Sequence, residues 1–198
     1  MALPGDNPNA VNDAIAAEIK ESATRDLGSL PSLQAEDLAL FGTLVQHFAF
    51  MDLNLRGLLN LFHAQNMLPN EYAKFWPMNL PDSKLTEALG AVISAMDPTK
   101  EDVPNALLWV QVIDSTRLKR NLVSHFAGKR HGNHDVYVFA SKSYKDAKKV
   151  LGAGLAHNEV HLVMTPRIEF AEMVESARSA QDWLAKKVPE WYERYGKK

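Results

Sequence analysis

From Leu33 to about Met67 the chain contains no proline, and Leu38, Phe41, Leu44, Val45, Phe48, Met51, Leu55, Leu58, Leu59 and Phe62 recur at spacings of three and four. Side chains at those spacings share one face of an α-helix, so the stretch reads as one long central helix. Leu40, Phe50, Leu53 and Leu61 widen the apolar stripe beyond what a single neighbouring helix covers. A helix of this kind has to be buried in a bundle or against a second copy of the chain. Gln46, His47, Asp52 and Arg56 interrupt the run, which speaks against a membrane span.

The remaining elements are shorter. Asn9 to Leu27 carries Val11, Ile15, Ile19 and Ala23 at helical spacing. "MLPNEYAKFWPMNLPDS" is broken by prolines and reads as a connection, followed by a helix from Lys84 to Met96. Asp102, or Thr99 before it, caps a further helix with Pro104 in its first turn, and Leu108, Val112, Ser115, Leu118, Leu122 and Phe126 are its expected buried stripe up to Gly128. Then the period changes. "DVYVFAS" and "EVHLVMT" predict an antiparallel strand pair within about 135–165, with a helical segment from Tyr144 to Leu151 between them. Helical spacing returns from Ile168 to about Lys187, and Pro189 is expected to allow at most one kinked turn around Trp191.

A chain of 198 residues with 46% hydrophobic content suits one domain, residues 1–198, with its helical core at about 33–187. It has no cysteine, so disulfides, thiolate metal sites and a cysteine nucleophile are excluded and a reducing compartment is expected. The N-terminal "MALPGDNPNAVNDA" lacks the pattern of a secretory signal, and the cytoplasm is the expected location.

The net charge of −2 conceals an asymmetry. Residues 1–116 hold 6 Lys or Arg against 15 Asp or Glu, residues 117–149 hold 9 against 2, and residues 150–198 hold 7 of each. The basic block begins at "RLKRNLVSHF", which puts Arg117, Lys119, Arg120, Asn121 and His125 on one helix. Residues four apart share a helix face, so Arg117 lies one turn before Asn121 and Asn121 one turn before His125.

Arg120-Asn121-Leu-Val-Ser-His125 resembles the R-x4-6-H signature of HEPN proteins, the higher eukaryote and prokaryote nucleotide-binding family. The resemblance implies a mainly α, HEPN-like helical bundle of about four to five helices, here with the strand pair inserted before the last helix. It implies a homodimer that places two motifs in one cleft. It also implies a metal-independent endoribonuclease, acting as a toxin or in antiviral defence with an antitoxin or defence-system partner. Arg56 and His63 form a looser match, but Arg56 can pair with Asp52 four residues earlier. In one respect the chain departs from the family: a tyrosine two residues after the histidine is common in the toxins, and Ala127 stands there.

The chemistry follows from the residue types. Histidine exchanges protons near neutrality and arginine offers a permanent bidentate fork to phosphate. His125 is expected to move the proton, Arg120 to hold the phosphate, and Asn121 to orient the histidine or contact the scissile group. Arg117, Lys119, Lys129 and Arg130 are expected to bind the RNA backbone, with Asp52 and His47 as supporting residues and no metal or other cofactor. Two-fold symmetry would supply the second histidine and arginine. A non-catalytic nucleotide- or RNA-binding module, or a helical protein-interaction subunit, is the alternative.

Other signals read as structural. His157 and His161 in "HNEVH" border a strand and lack zinc-protease spacing. His131 and His134 in "HGNH" read as loop residues and not ligands, because no cluster of carboxylates and histidines accompanies them. "GAGLAH" from Gly152 lacks a strand crossover, and the four tryptophans read as core or interface.

Overall fold

The period-3.6 segments become helices, and α1 takes up Ala35–Ala64 of the long apolar run. A computed structural model describes residues 17–18, 20–21, 28, 30–131, 134–151 and 159–196, with Lys149 described by its backbone alone. After α1 come α2 (Asn70–Ala73), a 3-10 turn (Asp82–Lys84), α3 (Leu85–Ser94), α4 (Val103–His125), β1 (Ala127–His131), β2 (Val136–Ser141), α5 (Tyr144–Leu151), β3 (His161–Pro166) and α6 (Arg167–Tyr195). The fold is mainly helical, as the periodicity requires. Of the helix read from Asn9 to Leu27, residues 17, 18, 20 and 21 are described and helical, and the rest lies outside the described residues.

Two compact units emerge, one of residues 1–45 and 118–175, the other of residues 46–117 and 176–198. The first contains an antiparallel sheet of order β1-β2-β3, one strand more than the expected pair. β2 is central, and its side chains from Val136 to Ala140 are buried on both faces. Alternation along it puts Val136 and Val138 in a cluster with Leu30, Leu162 and Met164. Tyr137 and Phe139 instead join Phe41 of α1 and Phe170 of α6, with Phe41–Tyr137 centroids 4.9 Å apart and Phe41–Phe170 centroids 4.8 Å apart.

The extra strand, "AGKRH", follows the motif helix and includes His131, which reads from the sequence as a loop residue. It pairs Ala127 with Ala140 and continues in register to His131 with Val136. Gly128 passes so close to the aromatic cluster that a Cβ there would sit 3.3 Å from Leu33 Cδ1 and 3.5 Å from Phe41 Cε2. The glycine therefore marks a close backbone approach, where the sequence had suggested a helix stop.

In the second unit Met51, Leu55, Leu58, Leu59 and Phe62 of α1, Leu89 and Ile93 of α3, Ile113 of α4 and Leu184 and Trp191 of α6 are buried. α4 opens as expected, Asp102 Oδ1 accepting the Asn105 amide at 3.2 Å. Its buried face differs from the expected stripe: Leu108 is 56% exposed and Ser115 is exposed, whereas Ala106, Val110, Ile113 and Thr116 are buried. Asp114 explains the rotation, because it joins Thr86 Oγ1 (3.0 Å) and Arg117 and can lie beside the core with its charge satisfied.

α6 runs through Pro189 to Tyr195 instead of ending near Lys187. An internal proline costs a helix about 3 kcal/mol. Tertiary bonds offset that cost. Trp191 is wholly buried, and its Nε1 donates to Glu101 Oε1 at 2.9 Å. Arg194 also bonds Glu101, Lys187 lies 3.4 Å from it, and Tyr192 donates to the Gly57 carbonyl at 3.0 Å. Among the described residues α1 alone is long and apolar enough to cross a membrane by length and composition. Its Leu44, Met51, Leu58 and Phe62 are fully buried.

Removing the Glu101 carboxylate leaves the tryptophan donor and two cations without their shared acceptor. Glu101→Ala should destabilise the protein by about 3 kcal/mol. In hydrogen exchange the amides after Pro189 should lose protection before those of α3.

Candidate nucleic-acid site

The motif occupies the last two turns of α4. Asn121 is 9% exposed, Arg120 is half-buried and His125, the final helical residue, is exposed. Leu122 is 1% exposed and Phe126, whose amide bonds the Leu122 carbonyl at 3.0 Å, is buried, so both anchor the helix end before β1. In an α-helix the Asn121 and His125 side chains lie one above the other, while Arg120 and His125 are about 140° apart. Lys119, Arg120, Asn121, His125, Lys129 and Arg130 all belong to the first unit, and Lys119 and Lys129 are half-buried.

Arg130 has internal partners. Cross-strand pairing sets it opposite Tyr137, on the sheet face that meets α1. There its guanidinium lies 3.3 Å from Glu36, 3.8 Å from Asp37 and 3.6 Å from Asp135. Arg167 joins the same three carboxylates, at 3.2, 3.5 and 2.9 Å respectively. Asp37 is fully buried, accepting the Tyr137 hydroxyl at 2.8 Å and the Gln34 amide at 2.8 Å. The second of these bonds is half of a capping box, since Asp37 is the third residue of α1.

Burial alone would push the Asp37 carboxyl up, but the Gln34 amide, the Tyr137 hydroxyl and the two guanidiniums together hold it below its usual range. Burial dominates at Tyr137 and raises the phenol. The cluster gives Arg130 a structural position, whatever phosphate contact it also makes.

The other expected residues lie in the second unit. Arg117 donates to Asp114 Oδ1 at 2.9 and 3.1 Å. Asp52 accepts from Arg56 at 2.9 Å, the pair anticipated from their spacing, and Arg56 also reaches Asp82 at 2.5 Å. His47 Nδ1 lies 2.7 Å from Gln181 Oε1. Trp76 donates to Asn60 at 2.8 Å, and Trp109 stacks on Trp183 with centroids 6.1 Å apart, so these rings have structural partners. His157 and the "GAGLAH" segment lie outside the described residues, and His161 is buried in β3.

Sequence reasoning missed the Asp37 cluster because its members are far apart in the chain. The local clue was the Gln34-to-Asp37 capping spacing. Against protein-family models, curated proteins and solved structures, the chain finds no match.

A depressed folded-state pKa at Asp37 sets the sign of an acid dependence. Its stabilisation is complete above the unfolded carboxyl's value near 3.9 and is lost as pH falls through the lower folded value. Asp37→Asn should lower stability by about 2–3 kcal/mol at pH 7 and flatten the acid limb of a urea-midpoint titration.

Proposed function

We propose that the protein is a cytoplasmic, metal-independent endoribonuclease of the HEPN type, with His125 moving the proton, Arg120 neutralising the phosphate and Asn121 orienting the pair. The observation that carries this reading is the placement of an Arg-Asn-x3-His motif on the final turns of a helix in a mainly helical fold, with its histidine exposed. Abstraction of the 2′-hydroxyl proton would let that oxygen attack the adjacent phosphorus. The 5′-oxygen then leaves with a proton, giving a 2′,3′-cyclic phosphate and a 5′-hydroxyl. A second chain related by a two-fold axis would supply the complementary acid and guanidinium. DNA lacks the attacking hydroxyl.

An apolar helix face supports the dimer. Phe50 (46%) and Leu53 (65%), three residues apart on one side of α1 within the second unit, are exposed. Large apolar side chains in a row on one helix are characteristic of an association surface. The same face also suits a helical protein-interaction subunit, which would recruit its partner without turnover.

RNA incubated with the protein in EDTA should be cut, and His125→Ala or Arg120→Gln should slow cleavage by about 100-fold or more. Equal cleavage by wild type and His125→Ala, or none by either, removes the ribonuclease reading. Leu53→Glu should shift the protein toward monomer in light scattering and reduce turnover in parallel, while circular dichroism stays unchanged.

A further inference from the structure

Beyond the ribonuclease reading, we infer that Glu18, His131 and His134 form a binding site for a divalent first-row transition ion of the Zn2+ type. One potential ligand atom from each of the three residues falls within 4.8 Å of both others. His134 Nε2 and Glu18 Oε2 are 3.3 Å apart, and zinc bound at about 2.0–2.1 Å holds neighbouring tetrahedral ligands about 3.3 Å apart. The widest pair therefore closes by no more than about 1.5 Å to reach tetrahedral spacing.

Hydrogen bonding supplies an independent observation. His131 is 7% exposed, and its Nδ1 is a buried atom without a hydrogen-bond partner among the described residues. His134 Nε2 is likewise buried and makes no hydrogen bond among the described residues, although it lies close to the carboxylate. Buried imidazole nitrogens are nearly always hydrogen-bonded, and a pair left over beside a carboxylate is accounted for by a shared cation.

The two rings stack with centroids 4.8 Å apart and planes 23° apart. Chain geometry explains how they meet. His131 ends β1 opposite Val136, on the face away from Arg130, and His134 stands in the turn that precedes β2. Glu18, an exposed helical residue early in the chain, supplies the carboxylate, since Asp135, next to His134, is held by Arg167 at 2.9 Å.

Two imidazoles and one carboxylate suit Zn2+ and its neighbours and do not suit Mg2+ or Ca2+, which prefer all-oxygen shells. Three protein ligands leave a fourth position for water. The bound ion would tie the helical residues around Glu18 to the β1–β2 turn.

The test is calorimetric titration of ZnCl2 into full-length protein stripped with EDTA and dialysed, with metal content read by mass spectrometry. One ion per chain should bind saturably and raise Tm. Glu18→Gln and His134→Ala, at positions that are not fully buried, should weaken binding by about 100-fold or more while retaining the wild-type helical spectrum. His63→Ala, an exposed histidine outside the cluster, should bind as wild type. Absence of saturable binding, or binding that survives in the Glu18→Gln/His134→Ala double variant, overturns the site. EDTA-resistant RNA cleavage reports on the ribonuclease separately, so either idea can fail without the other.

Discussion

The first unit depends on a carboxylate with no access to water. Asp37 has zero exposure, and an ionised carboxylate in that position is tolerable only if its lone pairs are filled and its charge is countered. The Gln34 amide, the Tyr137 hydroxyl and the guanidiniums of Arg130 and Arg167 meet that demand. Those groups come from the start of α1, the central strand, the edge strand and the start of α6. A single charge thus fixes where four elements begin or cross. The second unit uses the same device at Glu101, which gathers Trp191, Arg194 and Lys187. In both cases the acid is the buried partner and the cations stand nearer to solvent, where their long stems lose less hydration.

This arrangement changes the meaning of the basic block. Counted along the chain, residues 117–149 concentrate positive charge enough to suggest a phosphate track. In space, Arg117 answers Asp114 and Arg130 answers three carboxylates, two of them from the acidic first part of the chain. Part of the apparent asymmetry is therefore internal neutralisation between segments distant in sequence. Any phosphate recognition by these residues would have to compete with those carboxylates. Arg120, Asn121 and His125 remain the centre of the proposed chemistry, on the last two turns of one helix.

The helices were legible because burial on one face imposes a period that local spacing reports directly: α1, α3, α4 and α5 were readable to within a few residues. The misreadings share a cause. β1 is five residues with a glycine and three basic side chains, and nothing in it announces a strand until β2 supplies the register. α6 crosses Pro189 because Glu101, 90 residues earlier, secures Trp191. The buried face of α4 was misplaced because Asp114 is satisfied by Thr86, 28 residues away. Propensity describes a residue and its neighbours, while these outcomes were decided by partners that only folding brings together. The motif residues themselves were visible as types and spacing. Their burial was not, and Asn121 lies deeper than the expected flank position.

β1 also separates the two chemistries assigned to this unit. Its alternation sends Gly128 and Arg130 to the α1 face and puts Lys129 and His131 on the opposite one, so one short strand serves a charge cluster on one side and a histidine cluster on the other. Ala127 follows the motif helix almost at once, and His131 closes the strand four residues later. At an antiparallel rise of about 3.4 Å per residue, those strand ends stand ~14 Å apart. A metal held by His131 is therefore too far along the strand to share a reacting phosphate with His125 of the same chain. Its natural consequence is mechanical, because it would clamp the free end of the hairpin whose other end continues from the motif helix. The proposed metal-independent cleavage and the proposed metal are then compatible in one unit, since the two would act at opposite ends of the segment that runs from the motif helix through β1.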